Sequence, residues 1–419
     1  MNPYVGLLRE NVNYRRLWLA QIVSNFGDWF GLLAIYAIVQ AYSDSELLLG
    51  LVIVVKMLSL AVSSPIAGYL TDRYDRRVLM ILCDGVRALL VLGLLAVRSE
   101  ELLWLAYLLT AVQMFFSAIF EPAKTSSIPN VTNAEELVTA NIISAASWSV
   151  IFTTGMAIGG VATAWLGTDL VFLLNAVSYV VSGVFIWRAV IPQQKMEVRG
   201  EDGQRKHPLQ GIGDGFSYLF RNKEVLRPTL AKASFSSCLG ALVYMLILLS
   251  EEVLLMGSIG LGFLYAARGI GTGIGPVIGR RMIQDERKWI FSIGFFMMFS
   301  GLMYLFVGLS EPFWMMLLFV MLAHATSGSN WVMSTVLLQR RAEDTFRGRV
   351  FSTEWLLFTL VQSFSVMLAS LLLEWNILTL KEAMGVFSIG LMGIGVIWMA
   401  IVVPRERSYH RMAEDIASK

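Results

Sequence analysis

Four ionisable side chains interrupt long apolar stretches of this sequence: Asp28, Lys56, Arg268 and His324. A charged residue in the middle of a membrane-length apolar helix costs about 2.5–3.5 kcal/mol on insertion scales, so it usually faces a partner or a cavity. At 1.5 Å of rise per residue, each of the four lies roughly 18–24 Å from the end of its span that we expect in the cytoplasm. Carboxyl and imidazole groups can carry protons at such a depth, and the cations can bind an acidic ligand. These residues are therefore candidates for proton coupling and substrate binding.

Asp28 has two competing interpretations. Without a cationic partner, its carboxyl group can take up and release a proton or contact a substrate. If Lys56 reaches it from the neighbouring span, the two groups form a fixed ion pair and both stay charged. Lys56 and Arg268 outnumber the single acid at this depth, which favours a substrate that bears an acidic group. For His324, a proton-carrying role competes with packing or a hydrogen bond.

Polar residues recur at helical spacing on three of the apolar segments. The first stripe contains Asp28, the second contains Glu121 and Lys124, and the third contains His324. Residues at positions i, i+3, i+4 and i+7 share one face of a helix, so each stripe makes one face polar. We expect these faces to line a water-filled cavity. The candidate cavity-lining residues are Gln21, Ser24, Asn25, Gln113, Ser117 and Trp331.

The elements that must position these residues are membrane-spanning helices. The chain of 419 residues is 56% hydrophobic and 15% charged, whereas soluble domains contain about 25% charged residues. Apolar runs long enough to span a membrane recur along nearly the whole chain. We predict an all-α membrane protein with twelve transmembrane helices in two pseudo-symmetric six-helix bundles. The predicted domains are an N-terminal bundle at 1–190, a cytoplasmic linker with a surface helix at 191–224, and a C-terminal bundle with a cytoplasmic tail at 225–419.

Lysine and arginine are distributed unevenly among the connections between the spans. If the N-terminus is cytoplasmic, the external loops contain only Arg98 and Lys381, and the other basic loop residues fall on the cytoplasmic side. Cytoplasmic loops of membrane proteins carry an excess of these residues. We therefore expect both termini in the cytoplasm.

Composition and motifs argue against several other classes of protein. The net charge is +2, and no basic stripe indicates nucleic-acid binding. No G-x-x-x-x-G-K-[ST] motif is present, so no Walker-type ATP site is expected. We expect neither a cofactor nor a metal site, and we do not expect an enzyme.

A dense charged segment follows the second span. In GYLTDRYDRR, residues 68–77, five of the six residues from Asp72 to Arg77 are charged. The surrounding segment PIAGYLTDRYDRR, from Pro65, aligns with PVIGRRMIQDERK, from Pro276, at the corresponding loop of the second half. Two parallel six-span repeats are a known transporter construction, with the substrate site at the repeat interface.

The charged segment resembles the G-x-L-x-D-R-x-G-R-R loop of the major facilitator superfamily, except that Asp75 stands where the family usually has glycine. NYRRLWLAQIVSNFGDWF near the N-terminus, EPAK after the fourth span and RAEDTFRGRVFS before the eleventh resemble the branch that holds macrolide-efflux proteins and the enterobactin exporter. The family's antiporter motif, which ends G-P-x-x-G-G, lacks its proline at residues 155–160. The resemblance covers the whole chain and implies the major facilitator fold.

The resemblance also implies that Asp72 meets the start of the eleventh span, near Gly348 and Arg349. A buried aspartate can stabilise a helix N-terminus, which carries about half a positive charge. Asp84 and Arg87 lie three residues apart on one helical face and can interact. The alternative is that the arginines of this segment only set the topology. The candidate conformational latch comprises Gly68, Asp72, Arg73, Arg76, Arg77, Asp84, Arg87 and Arg349.

These observations predict a proton-coupled secondary active exporter that works by alternating access. The resemblance implies an amphipathic substrate of the drug, macrolide or siderophore type. A lysophospholipid transporter or flippase of the same fold is the first alternative, and a non-transporting membrane sensor or scaffold is the second. The expected partners are a small-molecule or lipid-like substrate, protons and membrane lipids. We expect a monomer in the bacterial cytoplasmic (inner) membrane.

Overall fold

The computed structural model describes residues 3–43, 46–193 and 208–406, and these ranges contain helices and no strands. Thirteen α-helices form in this part of the chain. They are α1 (Pro3–Glu10), α2 (Val12–Tyr42), α3 (Glu46–Arg73), α4 (Arg76–Gly93), α5 (Leu103–Val131), α6 (Glu136–Arg188), α7 (Pro208–Arg221), α8 (Lys223–Leu248), α9 (Gly257–Met282), α10 (Trp289–Leu309), α11 (Phe313–Arg341), α12 (Arg347–Glu374) and α13 (Leu380–Ile397).

Most of these helices have the length and composition of membrane spans. Eleven spans of sufficient length and hydropathy lie in the described ranges, and Glu136–Phe152 is a shorter apolar helix. The predicted fifth and sixth spans both fall in α6, which is interrupted at Gly167 (φ 77°, ψ 164°). A positive φ of this kind is readily adopted only by glycine, so α6 consists of two helices that meet at this residue. The prediction of an all-α, multi-span membrane protein is confirmed.

The chain divides into two compact units. The first contains Met1–Arg221 together with Leu338–Leu356, and the second contains Asn222–Leu337 and Leu357–Lys419. The end of α11 and the start of α12 therefore belong to the first unit, although they lie far along the sequence. Residues 194–207 of the predicted linker and residues 407–419 of the predicted tail lie outside the described residues.

In the first unit, α2 packs along α6, α4 packs on α5 and α6, and α3 packs on α5. A buried apolar cluster joins these helices and includes Ile38, Val91 and Phe172. The hydroxyl of Tyr14 donates a hydrogen bond of 2.6 Å to the carbonyl of Ala140, which ties α2 to α6. These contacts fix the helices that carry the polar residues of this unit.

In the second unit, α13 packs against α10 and α8. Ile293, Met297, Tyr304 and Val307 are buried on α10 at spacings of three to seven residues, so they form one apolar face. The indole of Trp398 donates a hydrogen bond of 2.8 Å to the carbonyl of Ile290 and fixes the end of α13 against α10.

Candidate functional site

Asp28 on α2 contacts two other helices of the first unit. The hydroxyl of Tyr179, on α6, donates a hydrogen bond to its carboxylate. Nη1 of Arg87, on α4, lies 3.9 Å from Oδ2 of Asp28. The Asp28 side chain is 28% exposed whereas that of Arg87 is 2% exposed, so the carboxylate is the accessible member of the pair.

Arg87 is held by a second acid and by two aromatic rings. Its Nη2 group forms an ion pair with Asp84 one helical turn earlier, and the hydroxyl of Ser182 donates to the other oxygen of Asp84 at 2.7 Å. The guanidinium carbon lies 4.5 Å from the ring centre of Phe120 and 4.4 Å from that of Tyr179. Because Asp84 already balances its charge, Arg87 stays compensated whether or not Asp28 carries a proton.

Neutral polar groups complete this arrangement. The amide of Gln113 on α5 donates to the Tyr179 hydroxyl at 2.7 Å. The hydroxyls of Ser24 and Ser117 lie 3.4 Å from the two terminal nitrogens of Arg87. The Asp28 cluster is our name for Asp28, Asp84, Arg87, Gln113 and Tyr179. It unites four helices around one accessible carboxylate.

Lys56 is not the ion-pair partner of Asp28 in this structure. Among the described side chains, the cation that pairs with Asp28 is Arg87, and Lys56 interacts with Asp28 only through its charge at longer range. The sequence contained a signal for Arg87, because it lies eleven residues after Arg76 and hence about 17 Å along the helix. The same depth estimate that selected Lys56 would have selected Arg87.

The predicted polar stripe of α2 turns largely towards other helices. Gln21 and Ser24 are buried, and Asn25 is half-buried. The amide of Gln21 lies 3.5 Å from the carbonyl of Ser144 on α6. Polar groups between helices often serve as interhelical hydrogen bonds, so part of this stripe holds the unit together.

A small cavity of about 90 Å³ lies beside the second predicted stripe, within the first unit. Its lining includes Ser64 of α3, Ser117 and Glu121 of α5, and Trp355 of α12. Lys124 forms an ion pair of 2.7 Å with Glu121. The cavity has room for a few water molecules but is smaller than the 300–1,000 Å³ typical of ligand pockets.

The second unit contains the other predicted site residues. The imidazole Nε2 of His324, which is buried, lies 2.8 Å from the hydroxyl of Tyr304. The guanidinium of Arg268 lies 5.3 Å from the ring centre of Tyr265. Trp331 is covered by the ammonium group of Lys232 at 4.1 Å from its ring centre. Tyr304 is not among the predicted site residues, because no unusual pattern surrounds it in the sequence.

Asp72 binds the start of α12 within the first unit. Its Oδ1 accepts a hydrogen bond of 2.6 Å from the backbone N–H of Gly348. Its Oδ2 accepts from the backbone N–H of Arg349 at 3.1 Å and from Nε of the same residue at 2.9 Å. The buried carboxylate thus satisfies two backbone donors at a helix N-terminus and the guanidinium of Arg349. Nη2 of Arg76 lies 3.7 Å from its Oδ1 and adds a second, longer ion pair.

Arg76 binds the segment between α11 and α12. Its guanidinium is buried and donates to the carboxylate and to the carbonyl of Asp344, both at 2.7 Å. The same carboxylate oxygen accepts from Arg347 at 2.7 Å and from the amide of Asn130 at 3.2 Å. Asp344 therefore joins two buried arginines, and the sequence alone gave no reason to select it.

The structure divides the predicted latch residues into three groups. Gly68, Asp72, Arg76 and Arg349 lie together: a Cβ atom at Gly68 would fall 2.7 Å from the Cα atom of Arg349. Arg73 and Arg77 contact neighbouring residues of the first unit instead. Arg73 lies over the rings of Tyr69 and Tyr74, and Arg77 donates to the carbonyl of Trp187. Asp84 and Arg87 belong to the Asp28 cluster.

The described residues contain no candidate metal site. No group of three or more histidine, cysteine or acidic residues is placed there to hold an ion. Cys83 and Cys238 are both free thiols. The carboxylates and hydroxyl of the Asp28 cluster can exchange protons and bind charged or hydrogen-bonding groups.

Comparison with known proteins identifies a protein family that matches most of this chain. Residues 17–365 match the family model described as Major Facilitator Superfamily. The putative bacilysin exporter BacE of Bacillus subtilis is 25% identical over 345 residues, which cover 82% of this chain and 84% of BacE. The enterobactin exporter EntS of Shigella boydii is 25% identical over 355 residues, which cover 83% of this chain and 82% of EntS. The match to the uncharacterized MFS-type transporter YfiS of B. subtilis is 29% identical over 217 residues and spans 51% of each chain.

Solved structures agree with the predicted fold. A bacterial homologue of the iron transporter ferroportin, in an outward-facing state, has a TM-score of 0.71 at 13% identity, covering 94% of this chain and 99% of its own. The Escherichia coli fucose:proton symporter FucP has a TM-score of 0.72 at 11% identity, covering 92% of this chain and 97% of its own. At these identities the likeness concerns the fold alone, and it confirms the predicted architecture.

Proposed function

We propose that this chain, which belongs to the Major Facilitator Superfamily, exports amphipathic small molecules in exchange for protons. It is a multi-pass membrane transporter and not an enzyme. Protons would supply the energy, since each pH unit is worth about 1.4 kcal/mol per proton. Each 100 mV of membrane potential adds about 2.3 kcal/mol per charge.

The direction of transport and the kind of cargo rest on the relatives. Two proteins that align with more than four fifths of the chain are exporters by name, one of bacilysin and one of enterobactin. We therefore assign export, with a drug-, macrolide- or siderophore-type cargo. The distribution of basic residues among the loops supports cytoplasmic termini, and the bacterial relatives favour the inner membrane. We propose that the monomer is the transporting unit.

The observation that supports proton coupling is the position of Asp28. It is the accessible carboxylate of a cluster whose other acid, Asp84, is buried against Arg87. A proton on Asp28 removes its attraction to Arg87 while Arg87 keeps its ion pair with Asp84. The cluster can therefore exchange a proton without leaving a buried arginine uncompensated, which would be costly. We assign proton coupling to Asp28, with Arg87 and Tyr179 as its positioning residues.

The contacts of Asp72 and Arg76 supply the conformational element of the proposal. Alternating access requires two states that differ in their contacts, and each contact favours the state in which it forms. The carboxylate of Asp72 and the guanidinium of Arg76 bind the segment 344–349 only when that segment lies against α3 and α4. We propose that these contacts form the latch and stabilise the outward-facing state.

Transport into inverted membrane vesicles tests the coupling. In inverted vesicles with an acidified interior, an exporter that exchanges cargo for protons moves its cargo inwards as protons leave. We therefore expect erythromycin, enterobactin or bacilysin to accumulate, and the accumulation to collapse when the pH gradient is dissipated. Asp28→Asn should abolish this accumulation. Asp169→Asn is the matched control, because Asp169 is an exposed acid of the same unit that pairs with Arg98. If Asp28→Asn keeps full gradient-driven uptake, the coupling assignment is wrong.

The same protein in liposomes distinguishes the lipid-transport alternative. Labelled lysophospholipid is added to one leaflet, and its arrival in the other is followed by back-extraction. Robust lipid movement without gradient-driven uptake of the three small molecules would replace the exporter proposal with a flippase. The absence of both activities in correctly inserted protein would favour a sensor or scaffold.

A further inference from the structure

The end of α6 gathers guanidinium groups from three helices of the first unit. Arg16, on α2, donates from Nη1 to the carbonyl of Arg188 at 2.6 Å. Arg77, on α4, donates from Nη2 to the carbonyl of Trp187. These two carbonyls belong to consecutive residues, so both guanidinium groups lie at the same helix end. The exposed side chain of Arg188 itself adds a third positive charge there. The basic end of α6 is our name for Arg16, Arg77, Trp187 and Arg188.

Helix capping explains only part of this arrangement. The last carbonyls of a helix lack partners within the helix, and basic side chains often bind them. A guanidinium group has five N–H donors, however, and Arg16 and Arg77 each use one on a carbonyl at the end of α6. Nε of Arg77 is buried without a hydrogen-bond partner. Within the described part of the chain, Arg16, Arg77 and Arg188 form no ion pair with a carboxylate.

The surface beside these charges is apolar. Trp187 is 61% exposed and Val190, just beyond the end of the helix, is 61% exposed. Tryptophan at the end of a membrane span occupies the boundary between headgroups and acyl chains. The backbone N–H of Val190 donates a hydrogen bond of 3.0 Å to the side-chain oxygen of Asn13, which fixes the backbone just beyond the end of α6. The surface thus combines an exposed indole with guanidinium groups that form no ion pair among residues 3–43, 46–193 and 208–406, at one membrane boundary.

We infer that the basic end of α6 binds the phosphate of an anionic phospholipid. Arginine binds phosphate through paired N–H donors, and its weak hydration makes it well suited to that contact. Basic pockets between transmembrane helices are a recurrent site for anionic headgroups. Because no described carboxylate pairs with the three arginines, a headgroup with net negative charge is favoured over a zwitterionic one. Trp187 and Val190 contact the first part of the acyl chain.

Native mass spectrometry of the detergent-purified full chain measures this binding. Phosphatidylglycerol and phosphatidylethanolamine are titrated separately against the parent protein and the triple variant Arg16→Gln/Arg77→Gln/Arg188→Gln. We expect the triple variant to bind phosphatidylglycerol at least about tenfold more weakly, since each basic residue near a membrane surface contributes to attraction of anionic lipid. Binding of phosphatidylethanolamine should be weak in both proteins.

The matched control removes the same charge elsewhere. Arg280→Gln/Arg281→Gln/Arg287→Gln deletes two arginines from the last turn of α9 and one from the segment that follows it. This variant should leave phosphatidylglycerol binding within about twofold of the parent. An equal loss in both triple variants would overturn the inference, because general surface charge would then explain the binding. Unchanged binding in the first variant would overturn it as well.

Two further measurements keep the inference testable. If the triple variant fails to fold, Arg188→Gln replaces it, because this side chain is exposed and both carbonyl contacts use the backbone of α6. A smaller but reproducible loss of phosphatidylglycerol binding is then expected. Inorganic phosphate is added as a competitor: displacement of the lipid at equal concentration would show a simple anion site and would contradict a lipid-specific one. The inference is independent of the cargo and of proton coupling.

Discussion

The hydroxyl of Tyr179 donates a hydrogen bond to the carboxylate of Asp28 and accepts one from the amide of Gln113. The ring of Tyr179 also lies against the guanidinium of Arg87 at 4.4 Å. One residue of α6 thus contacts the accessible acid, its cationic partner and a neutral donor from three other helices. Asp28 is therefore held in place by the packing of the first unit rather than by Lys56.

Replacing Tyr179 with phenylalanine separates these roles. Tyr179→Phe keeps the ring beside Arg87 and removes the donor to Asp28, which is worth about 1.5–3 kcal/mol for a charged acceptor. We expect several-fold slower gradient-driven uptake in inverted vesicles, with near-normal expression. Tyr14→Phe is the control. It removes a buried hydroxyl of the same unit, which donates a hydrogen bond to the carbonyl of Ala140 and not to Asp28. Equal activity of the two variants would argue against positioning by Tyr179.

Arg87 and Lys56 should differ sharply in their effect on stability. Arg87→Gln leaves the buried carboxylate of Asp84 without its ion-pair partner, and breaking a buried pair costs about 3–5 kcal/mol. Lys56→Gln removes a charge that makes no ion pair in the described structure, so its cost should be small. Thermal unfolding of the purified variants in detergent measures the difference. The double variant Asp84→Asn/Arg87→Gln should recover part of the loss, and a single-variant cost as small as that of Lys56→Gln would contradict this account.

Replacing Asp72 should lower the stability of the protein more than replacing Arg349, which it binds. Asp72→Asn weakens contacts to two backbone N–H groups as well as to Arg349. Arg349→Gln keeps the two backbone contacts and removes a guanidinium that also donates to the carbonyl of Thr345 at 3.0 Å and lies over the ring of Phe346. We expect Asp72→Asn to cost about 3 kcal/mol of stability and Arg349→Gln about half of that. Unfolding in detergent again provides the measurement. A larger effect for Arg349→Gln would show that the backbone contacts contribute little.

Gly68 tests the close approach of α3 and α12. A Cβ atom there would fall 2.7 Å from the Cα atom of Arg349, so Gly68→Ala should force the segment away and cost about 1–3 kcal/mol. Gly85→Ala is the control, since nothing lies within 4 Å of its added Cβ atom. Alanine is favoured over glycine in helices by about 1 kcal/mol, so the control should be neutral or stabilising. If both variants have the same melting temperature, the helices do not require this glycine.

Sequence reasoning succeeded where a local pattern carried the information. The apolar runs predicted the membrane-spanning helices. The resemblance of the segment with Gly68 and Asp72 to a known motif predicted the contact of Asp72 with the start of α12. Arg87 was assigned to the latch with Asp84, and the predicted pairing of the two residues forms, but the structure also places Arg87 beside Asp28. Tyr179 and Asp344 were missed. Their importance depends on residues more than 150 positions away, such as Asp28 for Tyr179, and no local pattern reports such contacts.

The membership of residues 338–356 in the first unit has a consequence for biosynthesis. Asp72 is synthesised 276 residues before its partner Gly348. At about 5–20 residues per second, the carboxylate waits roughly 14–55 s for the backbone donors that it binds in the finished protein. During this interval the first helices are already in the membrane, so Asp72 and Arg76 must remain in the aqueous boundary. The first unit therefore completes its fold only after the start of α12 has been synthesised, and a nascent chain stopped before α12 would leave Asp72 and Arg76 without these partners.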